Sequence, residues 1–580
     1  MTRRFSKKIS QLFIINSYIP KMLLAAFIGV VTGSVAILFR WALGVTDSFV
    51  HTIFSGWTLC FAPAIGGLLC GLFLFKLTKT PEASGQGTDR AIYSFHHHGG
   101  MLRKRVAPVK LIASVITLGS GGSAGYEGPV SQIGSGIATT ICRFFRMPRS
   151  VRRQFGLAGM AAGLGSIFKA PLSGALTSVE MLYREDFESS AFMTSVIASV
   201  TGFAVYSSAF GTAPTFAVPS FDFANGFELL FCALLGLLCV PISFLYVKCY
   251  YRVEDFFTNW KIPNYIKPAI GGLVCGLIVL LFPQAAGGAW DYVVDMTGLA
   301  NPVLGPSVIF LIGLVFAKIV ATSFTVGSGG SGGVFGPSLF LGGVVGAAFA
   351  AVVEGIFPGT LREPGAMALI GMGAFFAGSA KAPLAGVVMV CEMTGSYQLL
   401  PGLLIAAMVH VAFSRKWSIY RSQVKNKFAS PVHRLEMDPD VLRTVTAEDI
   451  MQKMDVLTLD AFLSIHEAEK RIDTFNLEHP ENAASHIFPV FEKGKYVGIL
   501  DWNLTFQNIV SLEGNDSVLL VSDCIVHVPV LSGSMDLHSA MKFLLKNSLN
   551  EIYVKDRDEN IEGLLSTAMI LRTYDRVVKI

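Results

Sequence analysis

Apolar segments of roughly membrane-spanning length recur along most of this chain, from 21–46 to 398–414. A hydrocarbon core about 30 Å thick needs about 20 apolar residues per helix. Inside it every backbone polar group must be satisfied by the chain itself, so only helices and closed barrels cross. Continuous runs of this length argue for helices. Composition agrees: 52% of the 580 residues are hydrophobic and 15% are charged, against about 25% charged in an average soluble domain. Several runs are short or interrupted by glycine, which marks broken helices buried in protein or lining a cavity. Lys and Arg concentrate in short flanking loops, and the start MTRRFSKKIS is basic. This is topogenic use. It places the N-terminus in the cytoplasm, shows no cleavable signal peptide and, despite a net charge of +5, gives no reason to expect a nucleic-acid partner. The nine cysteines form no CxxC pair; most lie in apolar runs (Cys232, Cys239 and Cys275 among them) and read as small buried hydrophobes.

The apolar part repeats itself. GSGGSAGYEGP (119–129) matches GSGGSGGVFGP (327–337), so that Pro129 falls 208 residues before Pro337. FKAPLSGALTSVEM (168–181) matches AKAPLAGVVMVCEM (380–393), and Gly159-Met160 matches Gly371-Met372, both 212 apart. Ordered matches at nearly one offset mean a duplicated half of about 210 residues. Transporter folds are commonly built this way, with the site where the broken helices of the two halves meet.

One carboxylate, Glu127, interrupts the first Gly/Ser run. Segment 106–142 is flanked by LRKR (102–105) and RFFRMPRSVRR (143–153). Basic flanks on both sides put both ends on one side of the membrane, so the segment enters and returns. Glu127 lies 16 residues before Arg143, about 24 Å if helical, and therefore deep in the membrane at the start of the returning helix. Pro129 suits a first helical turn. A helix N-terminus offers unpaired N–H groups and a positive dipole end, a natural anion site. The second copy, opened by Pro337, offers another. Two such ends hold an anion without a full charge, weakly enough to let it go. An ionised Glu127 imitates that anion and acts as its gate. An intramembrane carboxylate is functional by default; the blander alternative is a helix-stabilising charge.

Beyond about residue 415 the chain is ordinary in composition. LSIHEAEKRI (463–472) resembles MDLHSAMKFL (535–544), and IFPVFEKGKYVGIL (487–500) resembles IYVKDRDENIEGLL (552–565). The tail is identified as a tandem CBS pair, about 446–510 and 518–577, similar to those that bind adenine nucleotides through an aspartate after the last strand. The matching positions are Leu504 and Met569, which argues against ATP binding. No cofactor is expected.

With these motifs together, the chain resembles the CLC family of chloride channels and chloride/proton antiporters over its whole length. GYEGP matches the family's GxEGP, GGVFGP its GxFxP, and SIYRS (418–422) the segment carrying a pore tyrosine. The resemblance implies an all-α polytopic membrane protein of two inverted repeats (1–428) with an α/β tail (429–580). It further implies a homodimer in the cell membrane, both termini cytoplasmic, with one chloride pore per subunit. Glu127 is then the outer gate. Val334, Phe335 and Tyr420 are anion ligands, with Gly125, Tyr126 and Gln86 at the same site. Three positions depart from the pattern. Gln86 stands for the serine of GSGIP, within GQGTD (85–89), and its amide can donate to an anion. Tyr126 replaces the usual Arg and removes a positive charge. Met181 stands for the inner proton-transfer glutamate of many antiporters, and a thioether carries no proton. The expectation is therefore a passive chloride channel, with an antiporter using an unconventional inner proton path as the alternative.

Other residues carry blander expectations. Glu180 and Glu392, at matched positions, cap helix ends. Lys169 and Lys381, also matched, either anchor the fold or raise the potential at a pore mouth. His96, His97 and His98 read as a solvated loop and not a metal site. The chain is not expected to be an enzyme; a serine hydrolase with His410 as base leaves the duplicated helix ends unexplained. A CBS-regulated cation transporter would need more intramembrane acids than Glu127.

Overall fold

A computed structural model describes residues 18–216, 226–288, 307–432, 442–479, 486–503, 505, 519–547, 549–556 and 560–578. The chain divides into two compact units, Met1–Arg434 and Leu435–Ile580.

In the first unit the helices are α1 (Tyr18–Ile53), α2 (Ala62–Gly71), α3 (Gly87–His98), α4 (Val106–Gly119), α5 (Glu127–Phe144), α6 (Arg149–Ile167), α7 (Pro171–Glu180) and α8 (Ser189–Phe210). They continue as α9 (Phe227–Asn259), α10 (Lys267–Leu281), α11 (Val308–Gly327), α12 (Phe335–Ile356), α13 (Ala366–Ala380), α14 (Pro383–Thr394) and α15 (Leu400–Phe413). Among the described residues, six helical stretches are long and apolar enough to cross a membrane, while α4, α10, α13, α14 and α15 are apolar but shorter. Segment 106–142 is two helices and not one: α4 ends at the Gly/Ser run and α5 begins after it. The turn uses Gly121 at φ +89°, and its repeat partner Gly329 at φ +105° does the same between α11 and α12. These left-handed values are open to glycine at no steric cost.

The halves pack by matched close crossings. A side chain at Gly134 or Gly159 would strike the carbonyl of the other, locking α5 on α6; Gly342 and Gly371 repeat this between α12 and α13. Helices α2 and α10 cross through Gly67 against the Pro268 carbonyl and Gly272 against that of Pro63. This last crossing exposes further copies that the sequence reading missed: PAIGGLLCGL (63–72) against PAIGGLVCGL (268–277), and PEASG (81–85) against PQAAG (283–287). The offset shrinks to 205 and 202 residues there, so a search at one fixed spacing passes over them. The main core is one apolar cluster running through both halves, from Ala36 to Tyr420.

The second unit holds two four-stranded sheets. One contains β4 (Leu459–Asp460), β5 (Ile487–Glu492), β6 (Lys495–Asp501) and β7 (Ile525–Val526); the other runs in the order β3 (Gln452–Lys453), β10 (Ile561–Ser566), β9 (Glu551–Lys555), β8 (Leu531–Ser532). Helices α16 (Ile465–Glu478), α17 (Leu537–Lys546) and α18 (Thr567–Val578) complete an α/β domain. The halves are interlocked. β3 lies at the start of the first half yet pairs with β10 of the second, and β7 lies at the start of the second yet pairs with β6 of the first.

Candidate functional site

Two short bridges bring three helix N-termini to one place. β1 (Gly85–Gln86) pairs in parallel with β2 (Ser331–Gly332), and Gly125 pairs with Gly333. The starts of α3, α5 and α12 are thereby tied together deep in the membrane unit. Glu127 is the first residue of α5 and is 0% exposed. Its Oε2 accepts the Gly336 N–H of α12 at 3.2 Å, across the boundary between the repeats. Its Oε1 is buried without a hydrogen-bond partner among the described residues. The carboxylate thus sits at the N-terminus of its own helix and of the opposite one, where each first turn leaves N–H groups unpaired. Val334, the cap, and Phe335, the first residue of α12, flank the same point. Phe335 is wedged against Phe376 and Phe168, with ring centroids 4.1 and 5.2 Å away.

Tyr420 reaches this region from the loop after α15. It is fully buried, and neither its hydroxyl nor that of Thr88 makes a hydrogen bond of good geometry among the described residues. The two hydroxyls face each other, and Tyr420 lies near Glu127. Buried polar atoms are rarely left unpaired. Three of them here, Glu127 Oε1, Tyr420 Oη and Thr88 Oγ1, suit a site that takes a small polar ligand. Two are hydroxyls that can donate to an anion.

The other expected residues are less free than their types suggested. The Gly125 N–H donates to the Gly333 carbonyl at 2.8 Å and cannot serve an anion in this arrangement. Gln86 Nε2 donates to the Ile419 carbonyl at 3.0 Å, so this amide tethers the Tyr420 loop. Tyr126 caps α5, and the Arg40 guanidinium of α1 lies 5.8 Å from its ring centroid. A positive charge is therefore restored beside position 126 from a residue far away in sequence. Met181 is fully buried; its carbonyl accepts from Gln423 Nε2 at 2.8 Å, a bond Gln423 shares with the Ala380 carbonyl.

Glu180 and Glu392 cap helices, each that of the other repeat. Glu180 accepts the N–H groups of Leu384 and Ala385 at 3.1 and 2.8 Å; Glu392 accepts those of Leu172 and Ser173 at the same two distances. Lys169 and Lys381 both adopt left-handed φ, +54° and +60°. Their ammonium groups bind main-chain carbonyls of Phe210 and of Gly378 respectively, so they anchor the fold. His96 is buried between Ser430 and the Leu182 carbonyl, while His97 stacks on Tyr93. His410 joins Ser243 to the Ala374 carbonyl.

Sequence reasoning missed a pair of buried lysines. Lys110 binds the carbonyls of Ala83 and Gly85; Lys318, 208 residues on, binds those of Ala285 and Gly287 and lies 4.9 Å from the Phe340 centroid. Lys318 is near enough to Glu127 for their charges to interact. The signal was present: these are charges inside apolar helices, matched at the offset of the Gly/Ser motif.

Residues 66–415 match the family profile described as voltage gated chloride channel. The chain is 32% identical over 405 residues to the H(+)/Cl(-) exchange transporter ClcA of Salmonella paratyphi B, covering 67% of this chain and 84% of that protein. The Citrobacter koseri protein of the same name matches equally. A slow cyanobacterial Cl-/H+ antiporter has a similar structure, with TM-score 0.61 and 25% identity over 69% of this chain and 96% of that one. A eukaryotic CLC transporter covers 95% of this chain and 98% of its own, with TM-score 0.59 and 20% identity. The chain belongs to the CLC family: a multi-pass membrane protein of two inverted repeats with an α/β tail, built for anion transport.

Proposed function

We propose that this protein exchanges chloride for protons across the membrane. The observation that carries the reading is the Glu127 carboxylate accepting the Gly336 N–H where the N-termini of α5 and α12 meet. A group in that position competes with an anion when ionised and releases the site when protonated. One residue then alternates between proton carrier and anion mimic. The N–H groups of Val334 and Phe335 and the hydroxyl of Tyr420 are the anion donors. Arg40 and Lys318 supply positive potential nearby without gripping the ion.

The passive channel expected from Met181 gives way to the alternative. The curated relatives above are named exchange transporters, and the 25%-identical structure is an antiporter. In this reading the protein is a homodimer in the cell membrane with cytoplasmic termini, and the tail is a CBS pair.

Reconstitution in liposomes tests it. A chloride gradient should drive protons uphill, in the opposite sense when the gradient is reversed. Chloride flux with no proton movement would return the protein to the channel reading.

A further inference from the structure

An exchanger needs a path for protons between Glu127 and the far side of the membrane. Met181, where other antiporters keep an inner glutamate, has no titratable group. Glu180 next to it uses both carboxylate oxygens to cap α14, as Glu392 does for α7. That symmetry marks Glu180 as a structural cap.

Helix α9 offers another route. Tyr246, Tyr250 and Glu254 recur every fourth residue and so share one helix face. At 1.5 Å per residue the stripe runs about 12 Å along the helix. Tyr246 is fully buried, and its hydroxyl donates to the Val334 carbonyl at 2.9 Å, next to the α12 N-terminus that holds Glu127. It stands near both Tyr420 and Glu127. One turn on, Tyr250 is also buried, and its hydroxyl donates to Glu254 Oε1 at 3.4 Å. Glu254 is partly exposed. Beside this end stands Asp89, at the position of the family's proline in GQGTD. It follows Thr88, whose hydroxyl faces Tyr420, and accepts the Ser422 N–H and hydroxyl at 2.8 and 2.9 Å. Asp89 and Glu254 interact with each other and with Arg90 and Arg421. Buried phenols thus stand between the α12 N-terminus, where Glu127 is held, and two partly exposed carboxylates.

We propose that Tyr246, Tyr250 and Glu254, with Asp89 beside them, form the inner proton path of this protein; the proposal rests on the exchange reading above. Protonated Glu127 gives up its proton and becomes a carboxylate. Each phenol takes a proton on its oxygen as it passes its own along, so neither acquires a net charge, with water closing the gaps. The proton comes to rest on the Glu254 carboxylate, which is neutralised until it releases the proton to solvent. The same steps run in reverse for uptake.

The test is the proton-to-chloride flux ratio of the full chain in liposomes, for the wild type, Glu254→Gln, Tyr250→Phe and Glu180→Gln. A positioned proton carrier commonly supplies a factor of about 100 or more, so Glu254→Gln and Tyr250→Phe should each lower proton flux per chloride by at least about tenfold. Chloride flux in the same vesicles should persist, which also shows that the variants fold. Glu180→Gln should keep the wild-type ratio. Unchanged ratios in Glu254→Gln and Tyr250→Phe would overturn the path, as would loss of coupling confined to Glu180→Gln. A wild type that moves no protons removes the exchange reading and the path together, and that result needs no variant.

Discussion

At the scale of a residue, Glu127 does what no neighbour can, because it joins a titratable group to two helix N-termini. Glu127→Gln keeps the shape, and its amide oxygen can still accept the Gly336 N–H. It loses the charge that competes with an anion and the proton that must be carried. Chloride flux should therefore persist, lose its pH dependence and drive no protons, measured with paired chloride and pH electrodes. A mutant that retains the wild-type pH profile would remove Glu127 as the gate. This residue was legible because a carboxylate is costly to hold inside a membrane, and a lone one in a Gly/Ser break between apolar segments marks a function. Arg40 was not: it lies in an apolar helix 86 positions before Tyr126, and only folding brings its guanidinium over that ring. Gly125 illustrates the converse. Sequence identifies an amide near the anion site but does not say which carbonyl claims it, and the Gly333 carbonyl does.

At the scale of elements, the repeats hold each other through their caps. The matched spacing of Glu180 and Glu392 was visible in the sequence. That each caps the opposite repeat was not, because the inversion that brings α7 against α14 is a property of the fold. Removing either carboxylate leaves two N–H groups at a helix start without partners. Loss of an N-terminal cap costs about 0.5–2 kcal/mol, so Glu180→Ala and Glu392→Ala should each lower the melting midpoint of the detergent-purified protein by a similar amount. The similarity is the sharp part, since the bond lengths in the two caps are the same. Unequal losses, with Glu180→Ala leaving stability untouched but abolishing proton coupling, would show that Glu180 works in transport instead. Lys169 and Lys381 belong to the same scale. A left-handed residue costs roughly 1–2 kcal/mol outside glycine, and nothing in a lysine's type announces it. Here the ammonium bonds to main-chain carbonyls offset that cost and fasten each helix end.

At the scale of the whole molecule, the second unit raises the question of what it senses. Its paired sheets, with strands exchanged between the halves, follow the repeat seen in the sequence; the exchange itself was hidden, because β3 and β7 are only two residues long. In the CBS reading, a bound adenine nucleotide needs a carboxylate after the last strand of a repeat to take the ribose hydroxyls. Leu504 lies outside the described residues. Met569 is in the first turn of α18, where its N–H donates to the Ser566 hydroxyl at 3.2 Å. A thioether is a weak acceptor, and desolvating ribose hydroxyls against it without a hydrogen bond costs roughly 1–3 kcal/mol by protein mutational measures. ATP should therefore neither bind the tail tightly nor change transport. The full chain in detergent tests this by its melting curve with and without ATP. A ligand present at 100 times its dissociation constant stabilises the folded state by about 2.7 kcal/mol, enough to move the tail's midpoint visibly. We expect no movement at millimolar ATP and no change in liposome chloride flux. A raised midpoint, with micromolar affinity by titration calorimetry, would mean that another group holds the ribose and that the tail reports on adenine nucleotides after all.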